Sequence, residues 1–230
     1  MSGTLALLGG QEHTAGCEAI DRRLLDETGR AKPTVTVLLA ATAPRRRAFK
    51  TNEALEYWRA LGISPRIAMA GGPNETERTL AALDDTDLVV LTGGHPWLLH
   101  ARLEGSRVLG RLLELLSLGV PLSGSSAGAI AMCEWRQQLQ PPNPFRLVRA
   151  FGLVRGTAAA PHFNRYGLHR WVERISLRNP ALHILGLDDR TALIGRDDNF
   201  TVVGDGGVTL AHGGVMRRFP TGAALQLGLG

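Results

Sequence analysis

The chain has 230 residues, a 44% hydrophobic fraction and a net charge of +5, which suits one soluble α/β domain spanning residues 1–230. No run approaches the ~20 apolar residues of a membrane span, and the N-terminal "MSGTLALLGG" lacks a basic leader, so no membrane partner and a cytoplasmic location are expected. Arginine carries nearly all the positive charge, since Lys32 and Lys50 are the only lysines; the one local run, Arg45-Arg46-Arg47, reads as a solvated loop, and no nucleic-acid partner is expected.

Apolar runs of strand length alternate with helical patterns through the first two-thirds. "TLALLGG", "TVTVLLAATA", "RIAMAGG", "DLVVLTGG" and "VPLSGSS" read as buried strands ending in Gly, Ser or Thr. Between them "GCEAIDRRLLDETG", "NEALEYWRALG", "ETERTLAAL" and the long "WLLHARLEGSRVLGRLLELLSLG" read as helices. Such alternation predicts βαβ units, hence an open, mostly parallel sheet with helices on both faces and all strand carboxyl ends on one ligand-binding edge. After the "PPNP" loop, "HRWVERISLR" predicts a helix. The stretch from His183 to Phe219 reads as short strands joined by Asp/Gly turns, added antiparallel to the same sheet.

Gly124-Ser125-Ser126-Ala127-Gly128 fits G-x-S-x-G with a strand before it and a predicted helix, "AGAIAMCEW", after it. That turn lifts the central side chain clear of the sheet, which makes Ser126 the candidate nucleophile. It also leaves helix N-terminal amides beside the serine. With Gly93-Gly94 ending another strand on the same edge, the amides of Gly94 and Ala127 form the expected oxyanion hole. His95, next in line, is placed to touch substrate.

A serine needs a base, and among the seven histidines His162 and His212 are the candidates. His13 falls in the first loop, His100 and His169 read as surface residues of helices, and His183 opens an apolar strand. The only acid between Ser126 and His162 is Glu134, some two helical turns beyond the serine, so the orienting carboxylate is expected downstream in "GLDDRTALI". Asp188 and Asp189 point to opposite sides of a strand, so only one of them can serve. Pairing either with His212 gives the alternative order of an esterase. Cys17 and Cys133 form no metal-ligand spacing, and no cofactor or metal is expected.

These segments resemble the S51 serine peptidase family, which includes dipeptidase E and cyanophycinase within the class I glutamine amidotransferase-like, flavodoxin-like fold. "LALLGGQE", "LTGG", "GSSAGA", "PHFNRYGLHR", "GLDDRTALI" and the closing "TVVGDGGVTLAHGG" carry the resemblance. It implies Ser126 as nucleophile, His162 as base and Asp189 as the acid. It further implies a serine exopeptidase acting on a small peptide or isopeptide without a cofactor. A homodimer is a further expectation, made apart from the resemblance. Arg165 and Arg170 are expected to grip a substrate carboxylate. His95-Pro96 and Ala160-Pro161 depart from the family pattern, and they motivate the alternative of a non-catalytic ligand-binding or regulatory domain. Glutamine amidotransfer needs a cysteine at the elbow, where this chain has Ser126.

Overall fold

The structure, a computed structural model, describes residues 3–72, 74–138 and 146–228. The "PPNP" loop lies outside them. Strands β1 (Leu5–Leu8), β2 (Val35–Leu38), β3 (Arg66–Ala68), β4 (Leu88–Leu91) and β5 (Leu122–Ser125) form the parallel part of an eight-stranded sheet in the order β1-β5-β4-β2-β3. Helices α1 (Glu18–Glu27), α2 (Arg47–Ala60), α3 (Glu75–Ala82), α4 (Pro96–Leu103), α5 (Arg107–Ser117) and α6 (Ala127–Met132) connect these strands or follow the last of them.

Side-chain alternation explains how both faces of this sheet are covered. Leu5, Leu7, Leu38, Val89 and Leu91 point to one side, where Leu99, Leu103, Leu112 and Leu116 of α4 and α5 pack on them. Ala6, Leu8, Val35, Val37, Leu88 and Val90 point to the other, against Ile20 and Leu24 of α1 and Ala54 and Trp58 of α2. Near-continuous apolar runs are what strands buried on both sides require.

The long helix expected over 97–119 is two helices. Gly105 takes φ +68, and the Ser106 side chain accepts the Leu109 amide at 3.2 Å, so one helix stops and another is capped within three residues. Helix α2 begins five residues before "NEALEYWRALG", behind a 3₁₀ turn at Pro44–Arg46. Arg47 is pinned there by a 2.5 Å ion pair with Glu75 of α3, a tertiary contact that local sequence does not reveal.

The helix after Ser126 is shorter than its pattern suggested. It ends at Met132, and Cys133 turns extended to open β6 (Cys133–Gln137). Glu134 therefore lies on a strand, paired with Arg149 and accepting the Gly156 amide at 2.6 Å. Helix propensity here yields to strand pairing, because β6 runs parallel to β8 (Val154–Pro161), with β7 (Leu147–Arg149) on its other side.

The C-terminal third also departs from expectation. Strands β10 (Thr191–Arg196), β11 (Asn199–Gly204) and β14 (Ala224–Gln226) do extend the first sheet antiparallel from β1. However, β9 (His183–Leu187), β12 (Gly207–His212) and β13 (Val215–Pro220) join β6, β7 and β8 in a second, six-stranded sheet of order β13-β12-β9-β8-β6-β7. Its inner side, with Val154, Ala159, Leu185, Leu187 and Val208, packs into the same apolar layer as α4–α6. Its outer side carries Ala158, Ala160 and Ile184 against Val172 and Ile175 of α8 (His169–Arg178), with Phe163 of the short α7 (Phe163–Tyr166) in the same cluster. The connections β9–β10, β11–β12 and β13–β14 thus cross between sheets, a partition that short Asp/Gly-separated strands do not disclose.

His100, expected at the surface, is 2% exposed and packs its ring 4.7 Å from Phe151. Burial, reinforced by the charge of Arg136, pushes its pKa from the ordinary 6.5 down to about 4, so the folded protein holds it neutral. Such a group contributes stability above pH 6.5 that is lost as the pH falls toward 4, because the unfolded chain takes up the proton first. His100→Leu is expected to make the decline in stability over that window shallower by about 1 kcal/mol per pH unit, measured by urea unfolding of both proteins.

Candidate active site

Three catalytic-type side chains arrive from different elements and meet beyond the carboxyl end of β1. Ser126 sits between β5 and α6 with φ 47° and ψ −102°, a strained conformation for a residue with a Cβ. Its flanking glycines are steric requirements. A Cβ on Gly128 would lie 2.8 Å from the Leu91 carbonyl oxygen, and one on Gly124 would lie 2.6 Å from the Gly128 backbone. The helix can pack this close to the sheet only without them.

The Ser126 hydroxyl is 2.9 Å from His162 Nε2, and His162 Nδ1 is 2.6 Å from Asp189 Oδ1. His162 follows β8 in a left-handed conformation, φ 54°. Asp189 lies on the crossing between β9 and β10 and is 9% exposed. Asp188 points the opposite way, its Oδ2 accepting from the Gly207 amide at 3.0 Å and from Arg218 at 2.5 Å. The structure therefore brings Ser126, His162 and Asp189 together and leaves the buried Asp188 paired with Arg218, whose side chain is half-exposed.

One short segment holds all three in place. Leu8 O accepts the Ser126 amide at 2.9 Å, Gly9 O the His162 amide at 2.9 Å, and Gly10 O the Arg190 amide at 3.0 Å. Gly10, at φ +142, also leaves the space that the His162 ring fills; a Cβ there would overlap the ring.

The fate of the second serine is equally definite. Ser125 Oγ donates to Glu12 Oε2 at 2.6 Å, while Glu12 Oε1 accepts the Gly93 amide at 2.8 Å. Burial opposes the Glu12 charge, but the Ser125 hydroxyl, Lys50 and the Gly93 amide outweigh it and hold its pKa below the usual carboxylate range. One buried carboxylate thus ties the nucleophile turn to the Gly93-Gly94 turn. Sequence reasoning missed Glu12; its place two residues past a strand-ending Gly-Gly pair was the available signal. Beside it, His13 accepts from Trp58 Nε1 at 3.2 Å, and burial pushes its pKa down to about 4.

A cleft of about 380 Å³ opens over Ser126 and His162. Gly94 and His95 line it, as do Glu12, Tyr166, Arg46 of the 3₁₀ turn and Lys50 and Glu53 of α2. Lys50 and Glu53 pair at 2.6 Å. Ala127 is the first residue of α6, directly after the serine. The Gly93 amide is engaged by Glu12, the Ser126 amide by Leu8 and the His95 amide by Ala41, so Gly94 and Ala127 are the positions between them on the two turns.

Other expected site residues lie elsewhere. Arg165 is exposed with its guanidinium over the Tyr166 ring at 5.8 Å, and Arg170 is exposed on α8; neither lines the cleft. Both belong to the outward-facing surface of the α7–α8 segment, whereas Arg46, expected in a solvated loop, faces the cleft. His212 stacks on His183 at 4.6 Å with Nδ1 near the Leu182 carbonyl, so the imidazole that reaches Ser126 is that of His162. Cys17 and Cys133 are buried, and burial raises both thiols to about 12. Among the described residues, no group of three or more His, Cys, Asp or Glu side chains is disposed to hold a metal ion, and no helix is long and apolar enough to cross a membrane.

Solved structures that share this architecture include two peptidases. A peptidase from an acI-B1 actinobacterium superposes with a TM-score of 0.81 at 23% identity, covering 98% of this chain and 97% of that one. A putative peptidase E from Listeria monocytogenes EGD-e gives 0.59 at 16% identity, covering 94% and 98%. No curated protein matches the chain in sequence. The protein is a hydrolase of the serine-peptidase class. The sequence model of peptidase family S51 matches residues 5–203, and the chain belongs to that family.

Gly10→Ala is expected to displace the His162 ring and cut the rate of Ser126 labelling by a fluorophosphonate about 10²-fold, with the far-ultraviolet circular dichroism spectrum retained. Glu12→Ala strands the Ser125 hydroxyl and the Gly93 amide, and thermal unfolding should show a stability loss of about 1–3 kcal/mol.

Proposed function

We propose that this peptidase is a serine exopeptidase that hydrolyses short peptides or isopeptides through Ser126, His162 and Asp189. The observation that carries the reading is the hydrogen-bonded relay from Ser126 Oγ through both ring nitrogens of His162 to Asp189, at 2.9 and 2.6 Å. His162 Nε2 takes the hydroxyl proton as Oγ attacks the scissile carbonyl carbon. Asp189 fixes the tautomer that carries hydrogen on Nδ1 and stabilises the imidazolium that forms. The amides of Gly94 and Ala127 receive the negative charge developing on the carbonyl oxygen. His162 then protonates the leaving amine, the peptide C–N bond breaks, and an acyl-enzyme ester remains on Ser126. Water, deprotonated by the same ring, releases the acid and restores the hydroxyl.

The cleft supports a short substrate. Its volume of about 380 Å³ is near the lower end of the range for small-ligand sites and fits one or two residues rather than a long chain. Arg46 and Lys50 supply the cations for a substrate carboxylate, Lys50 by turning from Glu53, which is then left to face an amino group. The role first expected of Arg165 and Arg170 passes to Arg46 and Lys50.

Ser126→Ala is expected to abolish release of free amino groups from a dipeptide and β-isopeptide panel, and Asp189→Asn to lower kcat by roughly 10³–10⁴-fold. Replacing both Arg46 and Lys50 by alanine should raise KM about 10-fold for peptides with a free carboxylate, whereas Arg165→Ala leaves it unchanged. Steady-state kinetics on the four proteins tests each statement.

A further inference from the structure

A second cavity, of about 210 Å³, shares its walls with the segments that build the catalytic cleft. Pro96 follows His95, Pro161 precedes His162, and Ile130 lies one helical turn past Ser126, its amide bonded to the Ser126 carbonyl at 3.0 Å. Ala159, Ala160, Leu168 and Trp171 complete the apolar lining. The two cavities have no lining residue in common, but chain neighbours of His95 and His162 and a residue one turn past Ser126 wall the second one.

Its chemistry is opposite to that of the cleft. Among the described residues no charged side chain lines it, and Gln137 supplies the polar contact, whereas Arg46, Lys50, Glu12 and Glu53 surround the cleft. Ile130, Leu168 and Trp171 are each half-buried, so apolar surface stays in contact with solvent that a matching group would displace. At about 210 Å³ the space is below the roughly 300 Å³ at which pockets begin to enclose whole small molecules. One side chain fits it better than a complete ligand.

We propose that this cavity is a substrate subsite for one apolar side chain flanking the scissile bond. The inference rests on Ser126 as nucleophile, and it divides recognition in two: charged termini in the cleft, an apolar side chain in the cavity beside it. The substrates it selects are short peptides with a free terminus and a leucine-sized residue next to the cleaved bond.

The test uses the wild-type protein and tripeptides carrying Gly, Ala, Val, Leu or Asp on either side of the scissile bond. At one of these two positions kcat/KM should rise at least about 10-fold from Gly to Leu and fall for Asp. Leu168→Ala and Ile130→Phe, which enlarge and fill the cavity, should each change the Leu-to-Gly ratio several-fold, with Ile130→Phe favouring the smaller side chains. Cleavage with a flat profile at both positions, or a preference for Asp at both, overturns the subsite and leaves the serine mechanism standing. An unchanged ratio in both variants also overturns it. A protein that cleaves no member of the panel and leaves Ser126 unlabelled overturns the mechanism and the subsite together.

Discussion

Everything at the active edge depends on three consecutive carbonyls, those of Leu8, Gly9 and Gly10. Each accepts an amide from a different catalytic segment: Ser126, His162 and Arg190, the residue after Asp189. The donors come from the end of β5 in the first sheet, the end of β8 in the second, and the crossing between the sheets. A main-chain template of this kind sets the relative positions of three backbones before any side chain is considered. It requires close approach, and the two glycines permit it: a Cβ on Gly9 would press on the Leu187 and Asp188 backbone, and one on Gly10 on the His162 ring.

The template is paid for in local conformation. Gln11, His13, Ser126, His162 and Arg190 all adopt positive φ, between 47° and 63°. Each such residue carries a strain of about 1–3 kcal/mol, which the surrounding contacts must offset. Glu12, set between two of these residues, provides part of that offset by joining Ser125 to Gly93, and Trp58 reaches from the core to hold His13. Strain and buried hydrogen bonds therefore concentrate in one place, as expected where side chains must be held in working geometry before substrate arrives.

Much of this was legible in the sequence, for physical reasons. Buried parallel strands leave continuous apolar runs, so the five parallel strands stood out, and G-x-S-x-G between a strand and a helix marked the turn that exposes Ser126. Asp188 and Asp189 face apart as strand alternation predicts, although both lie just past the end of β9, on the crossing to β10. Other features are products of tertiary contact. Nothing local separates β9 and β12, in the second sheet, from β10 and β11, in the first, because all four are short strands flanked by Asp/Gly turns. Cys133 and Glu134 continue a helical pattern, yet pairing with β8 draws them into a strand. Arg46 belongs to a run that reads as a solvated loop, and only the placing of the 3₁₀ turn and α2 beside the strand ends brings it and Lys50 to the cleft, while Arg165 and Arg170 face outward.

The origin of Ser126 and His162 in different sheets makes the active edge a gauge of how those sheets are docked. The hydrogen bond between the two side chains spans 2.9 Å, and the segments behind them meet through the Leu8–Gly10 backbone rather than through a shared strand pair. A slip of about 1 Å between the layers would break that contact while leaving each sheet's own ladder intact. Chemical competence should thus register loosening of the interlayer seam earlier than any spectroscopic measure of secondary structure.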